Sequence, residues 1–231
     1  MKIKNIALYE YSLTYRFGTY AMSGGRTADS QSSSVVAITT DTGITGWGES
    51  ASLAGTYLPA FGSGIRAAIS EMAPALIGQD PCNIRRANQI MDGILLDQRA
   101  AKSPIDIALW DILGKANNAS ISTLTGGIIA EKLPMFEAVP LKSPEIMVQF
   151  VNERMAEGIK RFQVKVGNEP ELDAARAKAV YDAVPSDVVI VADSNGGWDL
   201  HDALKAVKLM EDLPIYIEPV SYTHLTLPTI L

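Results

Sequence analysis

Arg161-Phe162-Gln163-Val164-Lys165-Val166-Gly167, followed by Val188-Val189-Ile190-Val191-Ala192-Asp193 and then Ile215-Tyr216-Ile217-Glu218, decides the fold. Each is a short run rich in β-branched and aromatic residues, and each carries an ionisable side chain at or beside its carboxyl end. Helix-type segments fill the gaps at about 169–183 and 200–213. The series starts upstream with a strand at about 134–139 and a helix at about 143–157, whose Ser143-Pro144-Glu145 is a plain helix start. Strand, helix, strand at a nearly fixed repeat implies a parallel sheet with right-handed crossovers, either an open sheet or a (β/α)8 barrel.

In either architecture ligands gather at the carboxyl ends of the strands. Side chains alternate along a strand, so Gln163 and Lys165 share one face while Phe162, Val164 and Val166 face the helices. The same count turns Asp193 and Glu218 to the face of Lys165. Two carboxylates brought side by side repel unless a cation joins them, and hard oxygen ligands favour Mg²⁺. A lysine beside such a dication loses its proton more easily and becomes a candidate general base. The competing reading is an ordinary ion pair between Lys165 and one carboxylate.

Outward toward the amino terminus the pattern changes. From Ala60 to about Thr125 the period is helical, and Ser103 to Lys115 predicts the clearest helix. Ser103 suits its cap, Pro104 its first turn, and Ile105, Ala108, Leu109 and Ile112 one apolar face. Residues 2–50 read as β structure, with Asp41-Thr42-Gly43 marking a hairpin. Between the first strands, Tyr15 to Ser34 is rich in Tyr, Gly and Ser and reads as a loop.

Composition narrows the function classes. The 231 residues carry 20 Lys+Arg against 26 Asp+Glu, a formal charge of −6, which argues against a nucleic-acid partner. Cys82 is the single cysteine, so neither an internal disulfide nor a cysteine-built zinc site is expected. No apolar run approaches a membrane span and the start lacks a signal-peptide core, so a cytoplasmic protein with no membrane partner is expected.

Four segments carry a resemblance to a known family: Gly46-Trp47-Gly48-Glu49, the helix from Ile105 to Lys115, Gln163-Val164-Lys165-Val166-Gly167, and Asp193-Ser194-Asn195-Gly196-Gly197-Trp198. Together with Ile217-Glu218-Pro219 they resemble the mandelate racemase and muconate lactonizing enzyme branch of the enolase superfamily. The resemblance implies an α+β N-terminal capping domain, residues 1–125, plus the first part, about four strands, of a modified (β/α)8 TIM barrel at 126–219. It implies Mg²⁺ on Asp193 and Glu218, and Lys165 as the base that removes a proton α to a carboxylate. The substrate is then a small carboxylate, and the full-length parent a homo-oligomer.

Gln163 stands where many relatives carry a second lysine. This Gln-x-Lys-Val-Gly looks like the subgroup acting on proline derivatives, the hydroxyproline betaine epimerases and cis-3-hydroxyproline dehydratases. Tyr15, Tyr20 and Tyr57 could offer aromatic faces to a cationic substrate, with Asn195 beside the metal motif. Muconate cycloisomerase or dipeptide epimerase activity is the alternative, and a non-catalytic binding or oligomerisation module the alternative of another class. A complete barrel takes about 250 residues, so the third metal ligand and the second acid/base are expected outside this sequence. The chain as written is therefore expected to be inactive. Residues 220–231 resemble translated sequencing-adapter read-through, an expected non-native tail, so His224 is not offered as a ligand.

Overall fold

The computed structural model describes residues 1–53, 55 and 58–218. Contacts divide the chain into two compact units. The first joins Met1–Thr14 to Ser30–Glu131, and the second joins Tyr15–Asp29 to the residues from Lys132 onward. Residues 15–29, inside the 1–125 segment of the sequence reading, cluster by contact with the second unit.

In the first unit β1 (Ile3–Thr14) is separated from its partner by the short β2 (Tyr20–Ala21) and β3 (Thr27–Ala28), which belong to the second unit. β4 (Ser30–Thr40) and β5 (Thr45–Ala51) complete an antiparallel sheet ordered β1-β4-β5. Gly43 turns the β4–β5 hairpin at φ +88°, the left-handed position that the Asp-x-Gly pattern predicts. Ser30 to Ser34, expected in a loop, are strand. Serine has no strong β preference, but Ser32 and Ser33 donate to Glu10 and Glu49, and the long β1 supplies a full ladder. The Ser33 and Tyr11 hydroxyls together hold the Glu49 carboxyl below the ordinary carboxylate range.

Three helices, α1 (Gly62–Leu76), α2 (Ile84–Ile94) and α3 (Arg99–Asn117), share a core with this sheet, and the single-turn α4 (Ile121–Leu124) follows. Ile105, Ala108, Leu109 and Ile112 are all buried, as their spacing predicts. The helix starts earlier than its expected Ser103 cap, however. Gln98, left-handed at φ 50°, is the cap, and Ala100 and Ala101 are good helix formers that extend the first turns. Pro104 lies inside α3 and forgoes one backbone bond.

Gly46 and Gly48 explain how close β5 comes to α3. A Cβ on Gly48 would strike the Pro104 carbonyl and lie 2.9 Å from the Ala108 amide, neither of which can swing aside. Gly48→Ala should therefore lower the stability of this unit by about 3 kcal/mol. Gly93→Ala in α2, with nothing within 4 Å of the added carbon, should raise it by about 0.5–1 kcal/mol. Urea unfolding of both variants checks the pair, and similar midpoints for the two would refute the close-packing account.

The second unit is built on β6 (Glu137–Val139), β7 (Arg161–Lys165), β8 (Val189–Asp193) and β9 (Tyr216–Glu218), hydrogen-bonded in that order and all parallel. The crossovers are α5 (Pro144–Ala156), α6 (Pro170–Asp182) and α7 (Leu200–Leu209). Phe162 and Val164 of β7, Val166 just after it, and Ile190 and Ala192 of β8 join Met147, Val151, Ala177, Val180, Ala206 and Met210 in one buried core. Helix-facing positions are thus taken by apolar side chains, and the alternate positions point the other way. This is the arrangement expected from the sequence, an α+β unit followed by a run of four parallel strands with helical crossovers.

Candidate active site

Strand register alone brings the candidate residues together. Lys165 pairs with Asp193 across β7 and β8, and Asp193 pairs with Glu218 across β8 and β9, so the three occupy one row at the carboxyl ends. Lys165 and Asp193 are buried, with side chains 5% and 1% exposed, and Lys165 Nζ donates to Asp193 Oδ2 at 2.5 Å. Burial removes the screening that makes surface ion pairs weak. Gln163, two residues before Lys165 on the same face, donates Nε2 to Glu218 Oε2 at 2.8 Å.

Asn195 completes the Asp193 environment from the turn after β8. Its backbone N–H donates to Asp193 Oδ1 at 2.8 Å and its side-chain amide to Oδ2 at 2.7 Å. This wrap needs a left-handed residue, and Asn195 has φ 47°. Asparagine tolerates that conformation better than most residues.

The Tyr15–Asp29 segment lies within the same unit. Tyr15 and Tyr20 stack with ring centroids 5.2 Å apart, and Lys165 Nζ lies 6.0 Å from the centre of the Tyr20 ring. Of the expected aromatic trio, Tyr20 stands beside the lysine and Tyr15 stands behind Tyr20. Tyr57 lies outside the described residues, as do residues 219–231. His201 is exposed in the first turn of α7, where Asp199 is the cap.

Sequence reasoning missed three residues here. Arg26 donates Nη2 to the Asn195 carbonyl at 2.7 Å, the Gly24 N–H donates to Asn168 Oδ1 at 3.0 Å, and the Ser23 side chain fills the space beside Gly167 and Gly197. The Gly24-Gly25 pair, which lacks the spacing of a phosphate loop, is the signal that could have found them. Both glycines are left-handed, at φ 65° and 69°, and they fold the segment back onto the strand ends.

The donor chemistry fits a hard dication. Asp193 and Glu218 sit on adjacent strands in one row, and Glu218 is bonded to a neutral amide rather than to a cation. Mg²⁺ commonly takes one or two carboxylates and keeps several waters. Among the described residues no group of three or more His, Cys, Asp or Glu is placed to hold a metal.

A parallel β/α sheet with acidic and basic side chains at its carboxyl ends places the protein in the class of α/β folds, open sheets and barrels alike, whose ligands bind at that face. The family models narrow this. The N-terminal domain of mandelate racemase / muconate lactonizing enzyme matches residues 17–126, and the enolase C-terminal domain-like model matches residues 146–228. The chain belongs to the mandelate racemase / muconate lactonizing enzyme family of the enolase superfamily. It is 38% identical over 224 residues to a cis-3-hydroxy-L-proline dehydratase from Roseibium aggregatum, covering 97% of this chain and 61% of that protein.

Two solved structures are similar throughout the matched region. A dipeptide epimerase from Enterococcus faecalis, complexed with Mg and the dipeptide L-Leu-L-Tyr, superposes with a TM-score of 0.88 at 30% identity. The match covers 96% of this chain and 62% of that one. An N-succinyl Arg/Lys racemase from Bacillus cereus superposes with a TM-score of 0.90 at 32% identity, covering 96% and 60%. The chain spans less than two thirds of the length of these relatives. Among the described residues no helix is long and apolar enough to cross a membrane.

Proposed function

We propose that this chain carries the residues that remove the proton α to the carboxylate of a small substrate, in a Mg²⁺-assisted racemase, epimerase or dehydratase. The substrate class we favour is a proline or betaine derivative. The observation that carries the reading is the buried Lys165–Asp193 pair in one row with Glu218. Asp193 and Glu218 would hold the metal, which when bound supplies positive charge where negative charge develops on the substrate carboxylate.

The protein's own steps follow from geometry. Lys165, as the free amine, takes the α-proton at Nζ and becomes the ammonium, while the C–H electron pair stays on the substrate and spreads into its carboxylate. Asp193 Oδ2, at 2.5 Å from Nζ, stabilises that ammonium and fixes its direction. Asn195 holds the Asp193 carboxylate at both oxygens. Gln163 steadies Glu218 and offers its second amide proton to the substrate carboxylate. Tyr20, backed by Tyr15, presents an aromatic face suited to a quaternary or secondary ammonium.

The test is exchange of the α-proton with D₂O by the full-length parent, followed by proton NMR, over a panel of cyclic amino acids, betaines, dipeptides and sugar acids with Mg²⁺ or EDTA. Mg²⁺-dependent exchange confined to proline-type substrates is expected. Exchange of sugar acids or dipeptides alone would overturn the substrate class, and silence of the full-length parent across the panel would overturn the assignment of the reaction.

A further inference from the structure

The first turn of α6 carries a carboxylate that the chemistry above does not use. Asp173 is wholly buried. Its Oδ2 accepts the backbone N–H of Gly167 at 2.8 Å, that of Asn168 at 2.7 Å, and the indole Nε1–H of Trp198 at 2.9 Å. Its Oδ1 accepts from Arg176 Nη1 at 2.7 Å, and Arg176 Nε in turn donates to the Lys142 carbonyl at 2.8 Å. Lys142 lies in the turn after β6, Gly167 and Asn168 in the turn after β7, and Trp198 in the turn after β8. The Asp173 carboxylate thus fastens the turns after β7 and β8 directly, and the turn after β6 through Arg176, at the end of the sheet where Lys165 and Asp193 lie.

Those turns are where the pair is set. Past the Lys165–Asp193 row, β7 and β8 are joined by the Val166 N–H donating to the Asp193 carbonyl at 2.9 Å. The following turns touch backbone to backbone. A Cβ on Gly167 would strike the Ser194 carbonyl, and one on Gly197 would strike the Gly167 carbonyl. Gly167 is left-handed at φ 106°, a conformation with no intrinsic preference for this one direction. The Asp173 oxygen selects the direction, because hydrogen bonds to an ionised acceptor are roughly twice as strong as neutral ones. Asn168, held by its N–H, also accepts the Gly24 N–H through its side chain and so joins the Tyr15–Asp29 segment to the same anchor.

We propose that Asp173 is a positioning residue for the Lys165–Asp193 pair. By holding Gly167 and Trp198 on one oxygen it fixes the end of β7 against the turn that seats Asn195 on Asp193. This rests on the reading of Lys165 and Asp193 as the reacting pair. A residue that merely braces α6 would change the stability of the whole unit evenly, whereas a positioning residue loosens the strand ends first.

Amide hydrogen exchange on the full chain separates the two, because local opening and global unfolding report on different amides. Asp173→Asn keeps the volume and loses the ion pair with Arg176. Exchange at Val166, Gly167 and Asn195 is expected to quicken by about tenfold or more, with less than about a twofold change at Phe162 and Ile190 in the middle of the same strands. Calorimetric titration with Mg²⁺ alone should show affinity reduced by about tenfold or more, within the range seen when a group behind a metal ligand is removed. Even acceleration along β7 and β8, or unchanged rates at Val166 and Asn195, would overturn the proposal.

Trp198→Phe removes a single donor and covers the case in which Asp173→Asn fails to fold. It should speed Asn195 by about threefold and leave Phe162 unchanged, and equal rates at both would overturn the role. If the unaltered chain, which lacks the expected third ligand, takes up no Mg²⁺, the exchange pattern alone decides the role of Asp173.

Discussion

In the full-length parent, Lys165→Arg should lower the rate of α-proton exchange by about 10³-fold, yet keep the ion pair at the end of β7. A positioned acid or base contributes about 10² to 10⁴ to a proton transfer, and the substituted arginine cannot serve as one because a guanidinium does not deprotonate in proteins. Charge is thus retained while basicity is removed. Lys165→Met removes both and should lose the same activity, but with a marked fall in stability, since the carboxylate it leaves behind is 1% exposed. Deuterium incorporation measured by NMR, alongside thermal unfolding of both variants, checks the separation. Exchange in Lys165→Arg above about a tenth of the unaltered rate would remove Lys165 from the proton transfer.

The row that this prediction rests on was legible because a parallel sheet has few free parameters. Once Phe162, Val164 and Val166 are assigned to the helix side, the two-residue period leaves Gln163 and Lys165 no other face, and equal spacing of strand and helix puts Asp193 and Glu218 in register. The buried face of α3 was legible for the same reason, its apolar residues recurring at helical spacing. Its start was not, since a proline marks a first turn only statistically and Gln98 caps the helix by backbone conformation rather than by side-chain chemistry. Ser30 to Ser34 read as loop because their strand state comes from partners on β1 and β5, far away in sequence. Arg26 and Asp173 were invisible on the same ground. Each acts through bonds to turns that only the folded sheet brings near, Arg26 to Asn195 and Asp173 to Trp198.

Asp193→Asn separates a structural ion pair from a metal-binding one. The substitution keeps an acceptor for the Asn195 N–H but leaves the Lys165 ammonium, 5% exposed, without its counter-charge. Breaking a buried pair by removing one partner costs about 3–5 kcal/mol, whereas replacing both by neutral groups is often close to neutral. The double variant Lys165→Met/Asp193→Asn should therefore recover most of the loss and show a coupling of about 2 kcal/mol or more in a double-mutant cycle. Mg²⁺ affinity behaves differently. It should fall by at least about tenfold in both Asp193 variants and stay low when stability returns, because the carboxylate is still missing. Glu218→Gln should lose Mg²⁺ to a similar extent with little change in stability, since its partner in the row is the neutral amide of Gln163. Urea unfolding and Mg²⁺ calorimetry on these variants and the unaltered chain decide the matter. Additive stability losses would dissolve the coupled pair, and a Glu218→Gln protein that binds Mg²⁺ as tightly as the unaltered chain would take Glu218 out of the metal site while leaving Lys165 and Asp193 in place.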